Sequence, residues 1–178
     1  MMANEIGTVY WITGLSGAGK SSLAVALHEE LLQAGRKAVM LDGDAIRDLV
    51  IDAGGFDRES RLKIAKFNAR LCRFLACQGV DVVCATISLF HEVQAWNHEH
   101  IQTYIEIFLD APMQVLETRD SKGIYARARR GEDKQVVGID IAAEWPKNPD
   151  FRFQADGQTT IPSMVKRILS TNRRGSDQ

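Results

Sequence analysis

The sequence predicts a three-layer α/β/α fold around a mostly parallel five-stranded sheet, in a single domain over residues 1–178. Short apolar runs recur at Thr8–Thr13, Lys37–Leu41, Val80–Ser88 and Tyr104–Leu109, with a last short one at Phe151–Phe153. Segments of helical periodicity separate them, and strands alternating with helices are the pattern of a parallel sheet covered on both faces. At 178 residues and 19.8 kDa, one domain is enough to bury a sizeable core.

Each element follows from local chemistry. After the first strand and a glycine-rich segment, Leu23, Leu27 and Leu31 repeat every four residues, and Gly35 stands where a helix C-cap belongs. Lys37–Leu41 closes the first βαβ unit. A short helix over Ala45–Val50 follows, with Asp44 as its Asx-turn cap in one reading. From Asp57 to Gln78, Leu62, Ala65, Ala69, Cys72 and Ala76 hold one apolar face, and Gly79 ends it. His91–Gln102 reads as a shorter helix, and Pro112 opens another through Thr118. Residues 119–138 turn basic and polar, with Arg119, Lys122, Arg127, Arg129, Arg130 and Lys134 among Gly123, Gly131 and Gly138. Such a run is usually a solvated face, but beside a phosphate site it reads as a mobile lid. Ile161–Leu169 forms a closing helix, and the polar tail Ser170–Gln178 is expected to fray.

Composition excludes several classes of function. An apolar fraction of 45% and a charged fraction of 25% are those of a soluble globular chain. With 22 Lys and Arg against 23 Asp and Glu, the net charge of −1 attracts neither nucleic acid nor an anionic membrane. There is no run of about 20 apolar residues and no leader-like N-terminus, so a cytoplasmic location is expected. Cys72, Cys77 and Cys84 lack C-x-x-C spacing and read as small core residues. His98 and His100 lack further ligands at zinc-like spacing and read as solvated helix residues.

The chemistry begins at Gly14-Leu15-Ser16-Gly17-Ala18-Gly19-Lys20-Ser21, which matches G-x-x-x-x-G-K-[ST] between a strand and a helix. Glycines let consecutive N–H groups face phosphate oxygens, and the helix N-terminus adds its positive end. Gly14, Ser16, Gly17, Ala18, Gly19, Lys20, Ser21 and Ser22 are therefore the triphosphate-binding set, Lys20 reaching the β/γ-phosphates and Ser21 ligating Mg²⁺. Ligands of such sheets bind beyond the strand ends, where Asp42-Gly43-Asp44 follows the second strand. Either carboxylate can hold a Mg²⁺-bound water or accept a proton from an attacking hydroxyl. The third strand ends in Ala85-Thr86-Ile87-Ser88 and offers no acid for the metal. A regulatory GTPase needs N-K-x-D, which is absent, and a mere nucleotide-binding module leaves the acid pair and the basic segment unexplained. A small-molecule kinase accounts for all three.

Over about Val9 to Asp150 the chain resembles the adenylylsulfate kinase family of P-loop kinases. The resemblance rests on the phosphate loop, Leu41-Asp42-Gly43-Asp44 with Arg47, Gly55-Phe56 with Arg61, Ile87-Ser88, Arg119-Asp120-Ser121-Lys122-Gly123-Ile124-Tyr125, and Gly138-Ile139-Asp140. It implies a P-loop NTPase fold and transfer of the γ-phosphoryl group of MgATP to the ribose 3′-hydroxyl of adenosine 5′-phosphosulfate, in sulfate assimilation. It also implies roles. Asp42 would serve the metal, Asp44 the acceptor hydroxyl as base, and Lys122 the transferring phosphoryl group. Arg119 and Asp120 would border the adenine of ATP. Arg47, Phe56, Arg61, Ile87, Ser88 and Val136 would line the acceptor, with Phe56 stacking on its base. Members of the family often pair, so the resemblance allows a homodimer.

The acceptor half departs from the family pattern. Ile64 stands where the family has Asn, Ser88-Leu89-Phe90-His91-Glu92 replaces Ser-Pro-Tyr or Ser-Pro-Phe followed by basic residues, Val136-Val137-Gly138 replaces Phe-Thr-Gly, and Ser121 replaces a proline. Losing one stacking face costs about 1–3 kcal/mol per base, so Val136→Phe is expected to improve use of adenylylsulfate. The stretch from Ser88-Leu89-Phe90 to Trp96-Asn97 is similar to a subgroup of kinases of cytidine diphosphoramidate, used in capsule modification, and this nucleotide is the rival acceptor. Small-metabolite kinases of shikimate or gluconate form the runner-up class.

Overall fold

The computed structural model describes residues 6–172. Its strands are β1 (Val9–Thr13), β2 (Ala38–Asp42), β3 (Asp81–Ala85), β4 (Tyr104–Asp110) and β5 (Phe151–Gln154). They form one sheet in the order β2-β3-β1-β4-β5, and every one of these pairings is parallel. From β1 the sheet therefore grows in both directions, and the topological switch opens a crevice at the carboxyl end of β1.

Alternation along each strand divides the core in two. Tyr10, Ile12, Val83 and Ile107 face α1 (Lys20–Gln33) and α7 (Ile161–Asn172), where Leu23, Leu27, Leu31, Val165 and Ile168 pack. Val9, Trp11, Val82 and Cys84 face α3 (Arg58–Ala76) and α4 (His91–His100), packing on Ala65, Ala69, Cys72 and Val93. Each fully buried leucine contributes about 1.5–3 kcal/mol, so the every-fourth-residue leucine stripe is what fixes α1 on the sheet. Small residues on the inner face of α3 let that helix lie close to β1 and β3.

The remaining helices are α2 (Gly43–Leu49), α5 (Met113–Thr118) and α6 (Ile124–Arg129). Several sequence expectations change here. Helix α2 starts two residues early, and its cap is Asp42 rather than Asp44: the Asp42 side chain accepts hydrogen bonds from the Asp44 and Ala45 amides. The third strand stops at Ala85, because Thr86 N–H makes a last bond to Ile12 O and β1 then turns into the phosphate loop. The segment 119–138 contains α6, and Tyr125, Val136 and Val137 within it are buried. Cys72 and Cys84 are core residues as expected, but Cys77 is exposed at the end of α3. Ser170–Asn172 continue α7, and the rest of the polar tail, 173–178, lies outside the described residues.

Candidate active site

The phosphate loop links β1 to α1 through three left-handed or extended glycines. Gly14 has φ of 150°, and a Cβ there would lie 2.6 Å from Leu109 O. Gly19 caps α1 with φ of 94°, a conformation that costs other residues strain. Lys20 is half-buried, and its ammonium donates to Leu15 O at 2.8 Å, closing the loop on itself. Burial pushes its pKa down to about 8, against the opposing pull of Asp44 and Asp42. A lysine held this way gains most when phosphate oxygens arrive.

Ser21 Oγ donates to Asp42 Oδ2 at 3.0 Å, joining the loop to the end of β2. With its other oxygen committed to the α2 amides, Asp42 is fixed by the Ser21 hydroxyl on one side and by the α2 backbone on the other. Gly43 lets the turn pass against Thr86, whose Oγ1 lies 3.0 Å from where a Cβ would be. Freed from capping, the exposed Asp44 carboxylate reaches across the crevice to Lys122 Nζ at 2.9 Å. The hydrogen bond from that ammonium to Asp44, with its Coulombic attraction, raises the pKa of Lys122.

Ser21 and Asp42 are a donor set that suits Mg²⁺. This ion uses one or two protein oxygens and takes its remaining ligands from water and phosphate. His98 and His100 have other partners: His98 Nε2 lies 3.5 Å from Glu106, and the His100 ring stacks on Trp96 at 4.6 Å.

A cavity of about 410 Å³ runs from the phosphate loop to the N-terminal turn of α3. It is lined by Ser16, Gly17, Gly19, Lys20, Ser21, Ser22, Asp42, Asp44, Arg47, Phe56, Arg61, Ile87, Ser88, Arg119, Asp120 and Lys122, all chosen from sequence. Gly14 and Ala18 shape the loop from behind. Val136 is 7% exposed and packs in the core, while its neighbour Val137 reaches the cavity wall.

At the far end, Phe56 is 57% exposed and carries a guanidinium near its ring from each side chain, Arg47 at 4.4 Å and Arg61 at 5.3 Å. Arg47 donates to the carbonyls of Gly54 and Gly55, and Arg61 donates to Phe56 O and to Gln135 O. Burial, then the neighbouring Arg47 charge, lowers the pKa of Arg61. The two guanidiniums thus stand side by side at this end of the cavity, with the Asp44 and Asp57 carboxylates acting on Arg61 in the opposite sense.

The basic segment is less cationic toward the cavity than its composition suggests. Arg127 pairs with Asp133, Arg129 with Glu117 and Arg130 with Glu132, leaving Arg119 and Lys122 on the cavity wall. Arg119 donates to Ala155 O at 3.0 Å, just past β5, and Asp120 accepts from the Ile124 and Ala126 amides and so anchors the base of α6. Sequence reasoning passed over Tyr125, whose buried hydroxyl donates to Ser16 O at 2.8 Å and ties α6 to the phosphate loop. Burial raises its pKa to about 12. It also passed over Thr86, hydrogen-bonded to Ser88 at 2.9 Å. Ile64, Leu89 and Phe90, which depart from the family pattern in the acceptor half, form an aliphatic and aromatic part of the cavity wall.

A family model described as adenylylsulphate kinase matches residues 6–154. The adenylyl-sulfate kinase of Paraburkholderia xenovorans is 42% identical over 95% of this chain and 94% of its own length. That of Halothermothrix orenii is 34% identical over 98% and 94%. The solved structure of the Mycobacterium tuberculosis APS kinase in complex with AMPPNP and APS superposes with a TM-score of 0.87, at 34% identity, over 94% of this chain and 98% of that one. On these matches, and on the loop, acid pair and cavity they accompany, the chain belongs to the adenylylsulphate kinase family.

Proposed function

We propose that the chain transfers the γ-phosphoryl group of ATP to the ribose 3′-hydroxyl of adenosine 5′-phosphosulfate. The observation that carries this reading is one cavity joining a triphosphate loop, through the Asp44 and Lys122 pair, to a second pole built from Arg47, Phe56 and Arg61. Phosphoryl transfer asks the protein mainly for positioning and electrostatic stabilisation, and each pole supplies one partner.

In this scheme the loop amides and Lys20 hold the β- and γ-phosphates at the N-terminus of α1. Ser21 and Asp42 would hold Mg²⁺, which supplies charge neutralisation between the phosphates. Arg47 and Arg61 receive the phosphosulfate, and Phe56 offers its ring to the base. Asp44, standing between the poles, accepts the proton of the attacking hydroxyl. Lys122, released from Asp44, follows the charge on the transferring group. Arg119 and Asp120 border the adenine of ATP. Val136 supports the acceptor wall from behind Val137.

A kinase of cytidine diphosphoramidate is the second reading. It is favoured by the aliphatic lining at Ile64 and Val137, which gives a base less aromatic surface than a purine sandwich uses. ATP turnover with adenylylsulfate, cytidine diphosphoramidate, shikimate and gluconate, side by side, tests both. Preference for adenylylsulfate supports the first reading, preference for the cytidine nucleotide the second, and preference for a metabolite neither.

Among the described residues no helix is long and apolar enough to cross a membrane. The reading carries a cytoplasmic location and a homodimer as expectations. Light scattering checks the latter, a pair weighing twice the 19.8 kDa chain.

A further inference from the structure

We infer that Glu144 is a positioning residue for the acceptor end of the cavity, acting through Arg58, Phe90 and the first turn of α4; this rests on the proposed function. No motif marks Glu144, which lies after the 119–138 segment and before β5.

Its side chain joins two helix starts. One carboxylate oxygen accepts from Arg58 at 2.5 Å, and the other accepts from the His91 backbone amide at 2.7 Å. Helix α4 has Phe90 at its N-cap position and no capping side chain of its own, so Glu144 satisfies an orphan amide and places negative charge at the positive end of the helix. Burial raises the carboxyl pKa, but the His91 amide and Arg58 outweigh it, and the net shift is downward. Glu144 is thus an anion where it sits.

The backbone beside it is stitched to the same place. Glu144 N–H donates to Leu89 O at 3.0 Å, the Gln94 side chain donates to Glu144 O at 3.0 Å, and the His91 ring lies 2.9 Å from Trp145 O. Leu89 and Phe90 are the cavity wall, and the Arg58 guanidinium lies 5.4 Å from the Phe90 ring. Arg58 opens the helix that carries Arg61 one turn later. One carboxylate therefore sets the spacing between the Leu89–Phe90 wall and the helix start bearing Arg61, and its hydrogen bonds and ion pairs run to Arg58 and His91 rather than to the phosphate loop.

The consequence is selective. Removing Glu144 loosens the acceptor end and leaves the triphosphate end as it is. Purified wild type, Glu144→Ala, Glu144→Gln and Arg58→Met are compared by steady-state kinetics against adenylylsulfate and MgATP separately. Glu144→Ala is expected to raise the acceptor KM about tenfold, with the MgATP KM within about twofold. Glu144→Gln keeps an oxygen for the His91 amide and is expected to fall between, and Arg58→Met to match it. An unchanged acceptor KM, or equal rises in both KM values, overturns the inference, and Glu144→Gln and Arg58→Met carry the same reading if the alanine variant does not fold. A wild type inactive with adenylylsulfate strikes the proposed function; an active wild type with unselective variants strikes only this one.

Discussion

Lys20 should make triphosphate binding proton-linked. Burial holds its ammonium at a pKa of about 8, against an ordinary 10.5. At 1.36 kcal/mol per unit, that gap is roughly 3 kcal/mol of penalty on the charged form. The sign for folding follows: the unfolded chain binds more protons between about pH 8 and 10.5, so this group makes the unliganded fold more stable as pH rises through that window. Phosphate oxygens reverse the balance by favouring the ammonium. Binding of MgATP should then take up about 0.9 proton near pH 9 and about 0.1 near pH 7. Near pH 9 the terminal phosphate, with its second pKa near 6, is fully ionised and contributes almost nothing. Titration calorimetry in buffers of different ionisation enthalpy reads the number directly. Lys20→Arg keeps the charge without titrating and should bind with no linked uptake. Negligible uptake by wild type near pH 9, or equal uptake by Lys20→Arg, would refute the reasoning.

Four further outcomes are expected. Asp44→Asn should lower kcat by about 10²–10⁴ while MgATP affinity stays within about tenfold, since a base acts in the transition state; loss of MgATP binding would assign Asp44 to the metal instead. Lys122→Met should remove transfer yet shift unfolding free energy by less than about 1 kcal/mol, because its pair with Asp44 is exposed; an intact kcat would take Lys122 out of the chemistry. Gly43→Ala should lower kcat and stability together, as its Cβ would lie 3.0 to 3.2 Å from Thr86 and Ala85 O, and wild-type kinetics would show that the turn has room. Val136→Phe should cost about 1–3 kcal/mol in stability with no gain for adenylylsulfate, since Val136 is buried; better turnover at unchanged stability would place that side chain on the acceptor.

What could be read from sequence was what depends on neighbours in the chain. The phosphate loop needs its glycines, lysine and serine within eight positions, and the acid pair needs one glycine between two carboxylates. The leucine stripe of α1 and the small-residue face of α3 follow from periodicity alone. The start of α2 was misplaced because glycine is a poor helix former, yet Asp42 captures the Asp44 and Ala45 amides and draws Gly43 into the first turn. The charge of the 119–138 segment misled for a related reason: counting arginines ignores the acids at Glu117, Glu132 and Asp133 that pair with them. Contacts across long separations left no local signal. Tyr125 meets Ser16 across 109 residues, and Glu144 meets Arg58 across 86. Only the assembled sheet brings them together.

On the proposed function, the triphosphate loop and the arginine pole share one acceptor hydroxyl across Asp44. The most direct measurement is analysis of products from purified protein, MgATP and adenylylsulfate, by mass and phosphorus resonance. ADP and a 3′-phosphorylated nucleotide are expected in equal amounts, both lost in Asp44→Asn. ADP released with inorganic phosphate alone, or phosphate found on any other position of the acceptor, would contradict it.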